Sequence, residues 1–273
     1  MLRLVEAISD PGSTTKPNED GYGTAGRFAW IIDGATGLAD APLLDAPSDA
    51  AWLTARINAA FEELSATHID PSVLMRSAAD RVSAEFASQC LRAPEERYET
   101  PTAAVLLAHF GTVVTVCDVG DCGLYIDAGP RIIRFGGTAA GKALEQRNAS
   151  QYMASGKGRT QEVMAFLRRV RNLANTPKGY AIFAPGADWT DRARVHMHRS
   201  SAGTALFMTD GFEAAEEDYG LYDRAGLMAA AKADISVPIK AVREAEAADP
   251  DCTRFPRFKP SDDATAMVVQ YGA

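Results

Sequence analysis

Acidic residues stand at the ends of apolar runs in several separate parts of this chain. Asp33-Gly34 follows Ile31-Ile32, Asp210-Gly211 follows a run ending in Met208, Asp262-Asp263 precedes the last apolar run, and Glu19-Asp20 lies between two predicted strands. A carboxylate that follows buried β-type residues sits where a strand leaves the core, so distant acids can meet at one edge. Hard cations prefer such oxygen ligands. The pattern therefore constrains the fold to one whose strand ends converge, and it predicts a metal site there.

Each acidic cluster taken alone also fits a simple turn, because Asp-Gly between apolar residues is the strongest short-range hairpin signal. The recurrence of the pattern in one chain favours the metal site over coincidence. Oxygen-only ligands suit Mg2+ or Mn2+, and two such ions can activate water for attack on phosphorus without an enzyme nucleophile.

Composition argues against a nucleic-acid-binding protein. The chain of 273 residues has 28 basic and 36 acidic residues and a net charge of -8, and no basic stripe offsets this balance. Two short basic clusters occur, one at Arg168, Arg169 and Arg171, and one at Arg254, Arg257 and Lys259. Either cluster is better explained as a solvated face, or as a rim that guides phosphate, than as a DNA-binding surface.

Cysteine usage and hydropathy indicate a cytoplasmic protein. The four cysteines show no Cys-x-x-Cys spacing, and their low density favours reduced thiols over a disulfide scaffold. No uninterrupted apolar stretch approaches the roughly 20 residues that span a bilayer, and the N-terminus lacks a long apolar segment. We therefore expect no membrane association and no secretion.

The apolar patterns predict strands joined by short turns and helices that occur in consecutive pairs. Predicted strands cover residues 2–9, 27–33, 102–108, 112–118, 123–126, 132–135, 180–183, 194–198, 205–209 and 265–270. Predicted helices cover residues 48–64, 71–89, 223–233 and 237–247, and a helical stripe covers residues 163–170. The second helix has Asp70 as its predicted N-cap and Pro71 at N1. The four runs between 102 and 135 are predicted to form one antiparallel meander, and the glycines at 21, 23 and 26 to form a turn.

This order of elements excludes the βαβ alternation of a doubly wound fold. We expect an α+β fold, an α-β-β-α sandwich of two antiparallel sheets flanked by paired helices. Helices 48–64 and 71–89 would cover one sheet, and the two helices near the C-terminus would cover the other. Residues 1–273 are expected to form a single domain, with an insertion at about 136–176 beside the sheet.

Six motifs, in order through nearly the whole chain, resemble those of one family. They are Asn18-Glu19-Asp20, Ala29–Gly37, Pro101–Val105, Val119-Gly120-Asp121-Cys122, Thr209–Phe212 and Asp262-Asp263-Ala264-Thr265. The family is that of the metal-dependent type 2C Ser/Thr protein phosphatases, also called PPM phosphatases, and the resemblance is to its bacterial-type members. It implies an α-β-β-α sandwich with two Mn2+ or Mg2+ ions at the edge between the sheets.

The resemblance also implies which residues would bind the metals. Asp33 would bridge both ions, Asp20 and the Gly34 carbonyl would hold one of them, and Asp210 with Asp262 would hold the other. Catalysis would depend on the same four aspartates.

Two further acids have implied roles, and the phosphate-binding position departs from the family. Glu19 would act through metal-bound water, and Asp121 matches an acid that helps bind a weaker third metal. Many members carry an Arg four positions before the Glu, where this chain has Thr15 with Lys16 beside it. Lys16 supplies a point charge without the planar fork of Arg, so we expect phosphate to be held differently, with Lys16 or Thr15 at that position. Ala35 stands where eukaryotic members have a His.

Three smaller departures follow from the same comparison of motifs. Cys122 replaces the usual Ser and Asp263 the usual Asn. The insertion at about 136–176 lies where members carry a variable flap near the site, which indicates a role in substrate choice.

Two functions remain open at this point. The first is a cytoplasmic phosphatase that hydrolyses phosphoserine, phosphothreonine or a related phosphomonoester, with a phosphorylated protein or a small phosphoester as its partner. The second is a catalytically weak regulator of the same fold that binds a phosphorylated partner. We expect a monomer in either case.

Overall fold

The structure is a computed structural model that describes residues 1–127, 129, 131–137 and 160–272. Within these residues the chain forms ten strands, six α-helices and short 3-10 turns at Arg97–Glu99 and Thr190–Arg192. The strands are β1 Leu2–Asp10, β2 Gly21–Ala25, β3 Phe28–Ala35, β4 Thr102–Phe110, β5 Val114–Val119, β6 Gly123–Asp127, β7 Ile132–Gly136, β8 Arg194–His198, β9 Gly203–Met208 and β10 Ala264–Tyr271. The helices are α1 Asp49–Leu64, α2 Pro71–Gln89, α3 Gln161–Arg171, α4 Asp210–Glu217, α5 Arg224–Ala233 and α6 Ser236–Ala247.

Two five-stranded antiparallel sheets form the centre of the fold. Sheet A has the order β1-β10-β9-β6-β7, and sheet B has the order β2-β3-β4-β5-β8. In sheet A, β10 lies between β1 and β9, with Leu2 opposite Tyr271 and Met208 opposite Ala266. The expected α+β sandwich is confirmed.

Alternation along the strands produces the layers, because successive side chains of a strand point to opposite faces. In β3, Phe28, Trp30 and Ile32 pack in a core with α1 and α2, whereas Ala29 and Ile31 pack between the sheets. A third core joins the outer face of sheet A to α4, α5 and α6. The helices therefore cover the two sheets as the sequence predicts.

The first two helices begin close to their predicted starts, and each has a side-chain cap. The Ser48 hydroxyl accepts a hydrogen bond from the Ala51 amide at 3.0 Å, which caps α1. The Asp70 carboxylate accepts from the Ser72 amide at 2.8 Å, and Pro71 is the first residue of α2. Each such cap contributes about 1 kcal/mol to stability.

The predicted single meander over residues 102–135 is wrong. β4 pairs with β5 and β6 pairs with β7, but the first pair belongs to sheet B and the second to sheet A. The chain crosses between the sheets at Gly120–Cys122. Gly120 has a φ of +91°, a conformation that glycine adopts without the steric cost other residues would meet.

The predicted strand over residues 180–183 is also wrong, since only Phe183 forms a bridge, with Ala103 of β4. The Asn175 side chain explains this. It accepts a hydrogen bond from the Ile182 amide and donates one to the Ile182 carbonyl, both at 2.9 Å. The backbone of Ile182 is therefore satisfied by a side chain instead of a neighbouring strand.

The glycines at 21 and 23 form a strand, β2, instead of the predicted turn. Ala25 pairs with Phe28, so only Gly26 and Arg27 connect β2 to β3, and Gly26 has a φ of +59°. A Cβ at Gly23 would overlap the Trp30 ring. This glycine therefore permits a close approach of the backbone to an indole.

The predicted helical stripe over 163–170 is confirmed as α3, whereas most of the insertion, residues 138–159, lies outside the described residues. α3 is tied to the rest of the chain at its C-terminal end, where the Asn172 side chain accepts from the Tyr98 amide at 2.9 Å. In the part of the chain that the structure describes, no helix is both long and apolar enough to cross a bilayer.

Candidate metal centre

Asp33, near the end of β3, is surrounded by acids from other parts of the chain. Burial raises its pKa well above the usual range, and negative charges raise it further. The neighbouring carboxylates are those of Asp210, Asp20, Asp121 and Asp262. The structure thus brings together five of the acids that the sequence singles out, and their mutual repulsion favours a bound cation.

Asp20 joins this cluster from the loop before β2. Its carboxylate accepts a hydrogen bond from the Thr209 hydroxyl at 2.9 Å, which links it to the end of β9. Burial raises the pKa of Asp20 well above its usual range, although hydrogen bonds from Thr209 and Thr265 act in the opposite direction. Asp20 is therefore oriented by the sheet opposite to the one that carries Asp33.

Asp210 is the first residue of α4, a helix that the sequence interpretation missed. Thr209 is the N-cap residue, and Asp210 and Glu213 both lie in the first turn, a distribution typical of helix starts. A Cβ at Gly211 would overlap the Asp263 carbonyl. Asp210-Gly211 is thus a helix start pressed against the C-terminal acidic motif and not a hairpin turn.

Asp262 differs from the other acids because a cation lies beside it. Burial and repulsion by Asp210 raise its pKa to about 6, against the attraction of Lys259. The Lys259 ammonium contacts Asp262 Oδ1, which also accepts from the Asp263 amide at 2.8 Å. The sequence places Lys259 only in a short basic cluster, without a link to the acids.

Glu19 is held by its immediate neighbours. The Thr36 hydroxyl donates to Oε1 of Glu19, and the Thr36 amide donates to Oε2 at 3.3 Å. The Glu19 carbonyl accepts from the Thr54 hydroxyl at 2.7 Å, and a Cβ at Gly34 would overlap that same carbonyl. Glycine at 34 therefore lets the first two acidic motifs pack backbone to backbone.

Thr15 and Lys16, the candidate phosphate ligands, are both exposed. The Thr15 amide and hydroxyl bond to the Ser13 hydroxyl at 3.2 and 3.1 Å. Among the described contacts, neither residue is joined to the acidic cluster.

The donor set fits a hard divalent cation. Among the described residues, no three His, Cys, Asp or Glu side chains are already arranged as a metal cage. Asp20 and Asp262 are each bonded to a protein donor, Thr209 and Lys259 respectively. All five acids nevertheless present oxygen, the ligand that Mg2+ and Mn2+ prefer. A cation among them would remove the repulsion that raises the pKa of Asp33.

No protein-family model and no curated protein matches this sequence. Solved structures do match it. The serine/threonine phosphatase PstP/Ppp of Mycobacterium tuberculosis is 13% identical, with 100% of this chain and 99% of that chain covered and a TM-score of 0.58. The catalytic domain of PstP in complex with two manganese ions gives 15% identity, 100% and 99% coverage and a TM-score of 0.57.

A third solved structure, the PPM Ser-Thr phosphatase MsPP from Mycobacterium smegmatis, is 14% identical, covers 99% of each chain and has a TM-score of 0.52. These similarities extend over the two sheets and their flanking helices as a whole. The chain therefore has the fold of the PPM-type serine/threonine phosphatases.

Proposed function

We propose that this protein is a metal-dependent phosphatase that hydrolyses phosphoserine, phosphothreonine or a related phosphomonoester. One observation supports this most directly: beyond the effect of burial, the charges of four carboxylates from four other segments of the chain raise the pKa of Asp33. Such a cluster is costly without a cation, because every member raises the pKa of its neighbours. The shared fold with PPM-type phosphatases agrees with this function.

Within this proposal the acids divide between two Mn2+ or Mg2+ ions. Asp33 would be shared by both, Asp20 and the Gly34 carbonyl would hold one, and Asp210 with Asp262 would hold the other. When bound, such ions would lower the pKa of a water molecule and neutralise charge on the phosphoryl oxygens.

The remaining acids act around this centre. Glu19, which Thr36 holds by two hydrogen bonds, would act through metal-bound water. Asp121, which comes from the crossing between the sheets and whose charge raises the pKa of Asp33, would help to hold a third ion. The substrate is a phosphorylated protein or a small phosphoester.

Turnover of p-nitrophenyl phosphate and of a phosphothreonine peptide tests the proposal, with EDTA, Mg2+ or Mn2+ in parallel. We expect hydrolysis with Mn2+ or Mg2+ and none with EDTA. Asp33→Asn should reduce the metal-dependent rate at least about 100-fold, since it removes the shared ligand and its charge. Asp45→Asn is the matched control, because Asp45 is exposed and the substitution changes the net charge equally.

Full activity of Asp33→Asn would contradict the site assignment. Absence of turnover in the unmodified chain, together with Mn2+ binding by calorimetry, would instead support the regulator that binds a phosphorylated partner.

A further inference from the structure

Lys259 is the cation that lies directly against the proposed metal centre. Its Nζ contacts Asp262 Oδ1, and its side chain is 48% exposed, with that of Asp262 35% exposed. About half of the Lys259 side chain is therefore open to solvent at this contact. A lysine side chain carries a positive charge at neutral pH.

The segment that carries Lys259 is anchored on both sides. Arg257 donates to the Asp249 carboxylate at 2.7 Å and to the Pro260 carbonyl at 3.0 Å. Phe258 stacks on Phe166 of α3, with ring centroids 6.5 Å apart. The backbone at 259 is therefore fixed between two packed neighbours, so binding of a ligand by Lys259 has to order only its side chain.

The other cations of this region are directed elsewhere. Arg257 is bonded to Asp249, and the Arg254 guanidinium lies over the Phe255 ring at 4.8 Å. Lys16 is exposed and has no described contact with the acids. Of these four cations, Lys259 is the one with a described contact to a carboxylate of the proposed metal centre.

We propose that Lys259 binds a phosphoryl oxygen of the substrate and replaces the arginine that is absent at position 15. This inference rests on the proposed function. The ammonium has three N–H donors, and its contact with Asp262 uses one of them. The other two can donate to phosphoryl oxygens, so one side chain connects a metal ligand to the substrate through charge-assisted hydrogen bonds.

The test measures kcat and KM for p-nitrophenyl phosphate at saturating Mn2+, the inhibition constant of inorganic phosphate, and the Mn2+ concentration for half-maximal activity. Three variants are compared with the unmodified chain: Lys259→Gln removes the charge, Lys259→Arg keeps it, and Lys16→Gln tests the other candidate. Lys240→Gln, at an exposed position of α6, is the matched control for the change in net charge.

We expect Lys259→Gln to raise both KM and the phosphate inhibition constant about tenfold or more, as for loss of a hydrogen bond to a charged group. Lys259→Arg should stay within about threefold of the unmodified chain, because it retains a cation that binds phosphate. Lys240→Gln should change neither constant.

Several results would overturn the inference. Unchanged KM and phosphate inhibition in Lys259→Gln would do so, as would a change confined to the Mn2+ requirement, since Lys259 would then act only as a counter-ion to Asp262. A raised KM in Lys16→Gln alone would place the phosphate at Lys16. Absence of turnover in the unmodified chain would refute the proposed function and this inference together, a result distinct from the others.

Discussion

Replacing Asp263 by asparagine, the usual residue of the family that the sequence resembles, should destabilise this protein. Asp263 Oδ1 accepts from the Gly12 amide and Oδ2 accepts from the Glu19 amide, both at 2.8 Å. Both donors are backbone N–H groups, so the side chain must offer two acceptors. Asparagine offers one acceptor and one NH2 group. One backbone N–H would then face another donor.

The size of the effect follows from these contacts. A hydrogen bond to a charged group contributes about 1.5–3 kcal/mol. The loss is offset in part because the charge of Asp263 raises the pKa of Asp20 and Asp262, and its removal relieves that repulsion. We therefore expect a net loss near the lower end, about 1.5 kcal/mol, which corresponds to a decrease in Tm of about 3–6 °C.

Thermal unfolding followed by circular dichroism measures the change in Tm, in EDTA and in saturating Mn2+. Asp263→Ala is the control, because it changes the charge equally but removes both acceptors. The deficit of Asp263→Asn should be larger in Mn2+, where the ion already neutralises the repulsion. A Tm equal to or above that of the unmodified chain in both buffers would refute the two-acceptor explanation.

Three other predictions follow from the same contacts. In EDTA, Asp33→Asn should leave Tm unchanged or raise it, because it removes the centre of the repelling cluster; a clear decrease in a thermal scan would contradict this. Gly34→Ala should lower the free energy of unfolding, measured in urea, by about 1–3 kcal/mol, because the new Cβ would overlap the Glu19 carbonyl. Gly111→Ala should lower it less, because a Cβ at that position meets only ordinary contacts. Burial works against ionisation of Asp249, but amide donors such as Arg254 and the Arg257 guanidinium hold its pKa below the usual range. The stabilising contribution of Asp249 is therefore present above about pH 4 and lost as the pH falls. Asp249→Asn should lower the urea midpoint of unfolding at pH 7, and the midpoint of the variant should change less between pH 5 and 3 than that of the unmodified chain. Equal midpoints at pH 7 would argue against this role of Asp249.

Local pattern was sufficient to predict most elements of the fold. β8 has the predicted bounds, Arg194–His198, and Asp70 caps the helix that it was predicted to cap. Ser48, predicted as the first residue of α1, is its N-cap. Alternation and capping depend on residues close in sequence. The crossing at Gly120 was missed because local pattern does not show which of two sheets a strand joins. α4 was missed because Asp-Gly fits a hairpin and a helix start equally well.

The acidic cluster could also be predicted, since each acid follows or precedes an apolar run that fixes its position at the sheet edge. The place of Lys259 could not. It depends on the path of the chain from Asp249 to Asp262, which is fixed by hydrogen bonds of Asp249 and by the packing of Phe258 on Phe166. The contact between Phe258 and Phe166 joins segments far apart in sequence, and no local spacing indicates it.

The position of β10 between β1 and β9 has a consequence for biosynthesis. During translation the first strand is made long before its partner, and the two neighbours of β10 cannot be joined until residues 264–271 have left the ribosome. Pairings between strands so distant in sequence form slowly. Nascent chains should therefore expose the open edge of β1 to chaperones, and Asp33 of β3 cannot meet Asp262 in the proposed metal site until that late segment has been made.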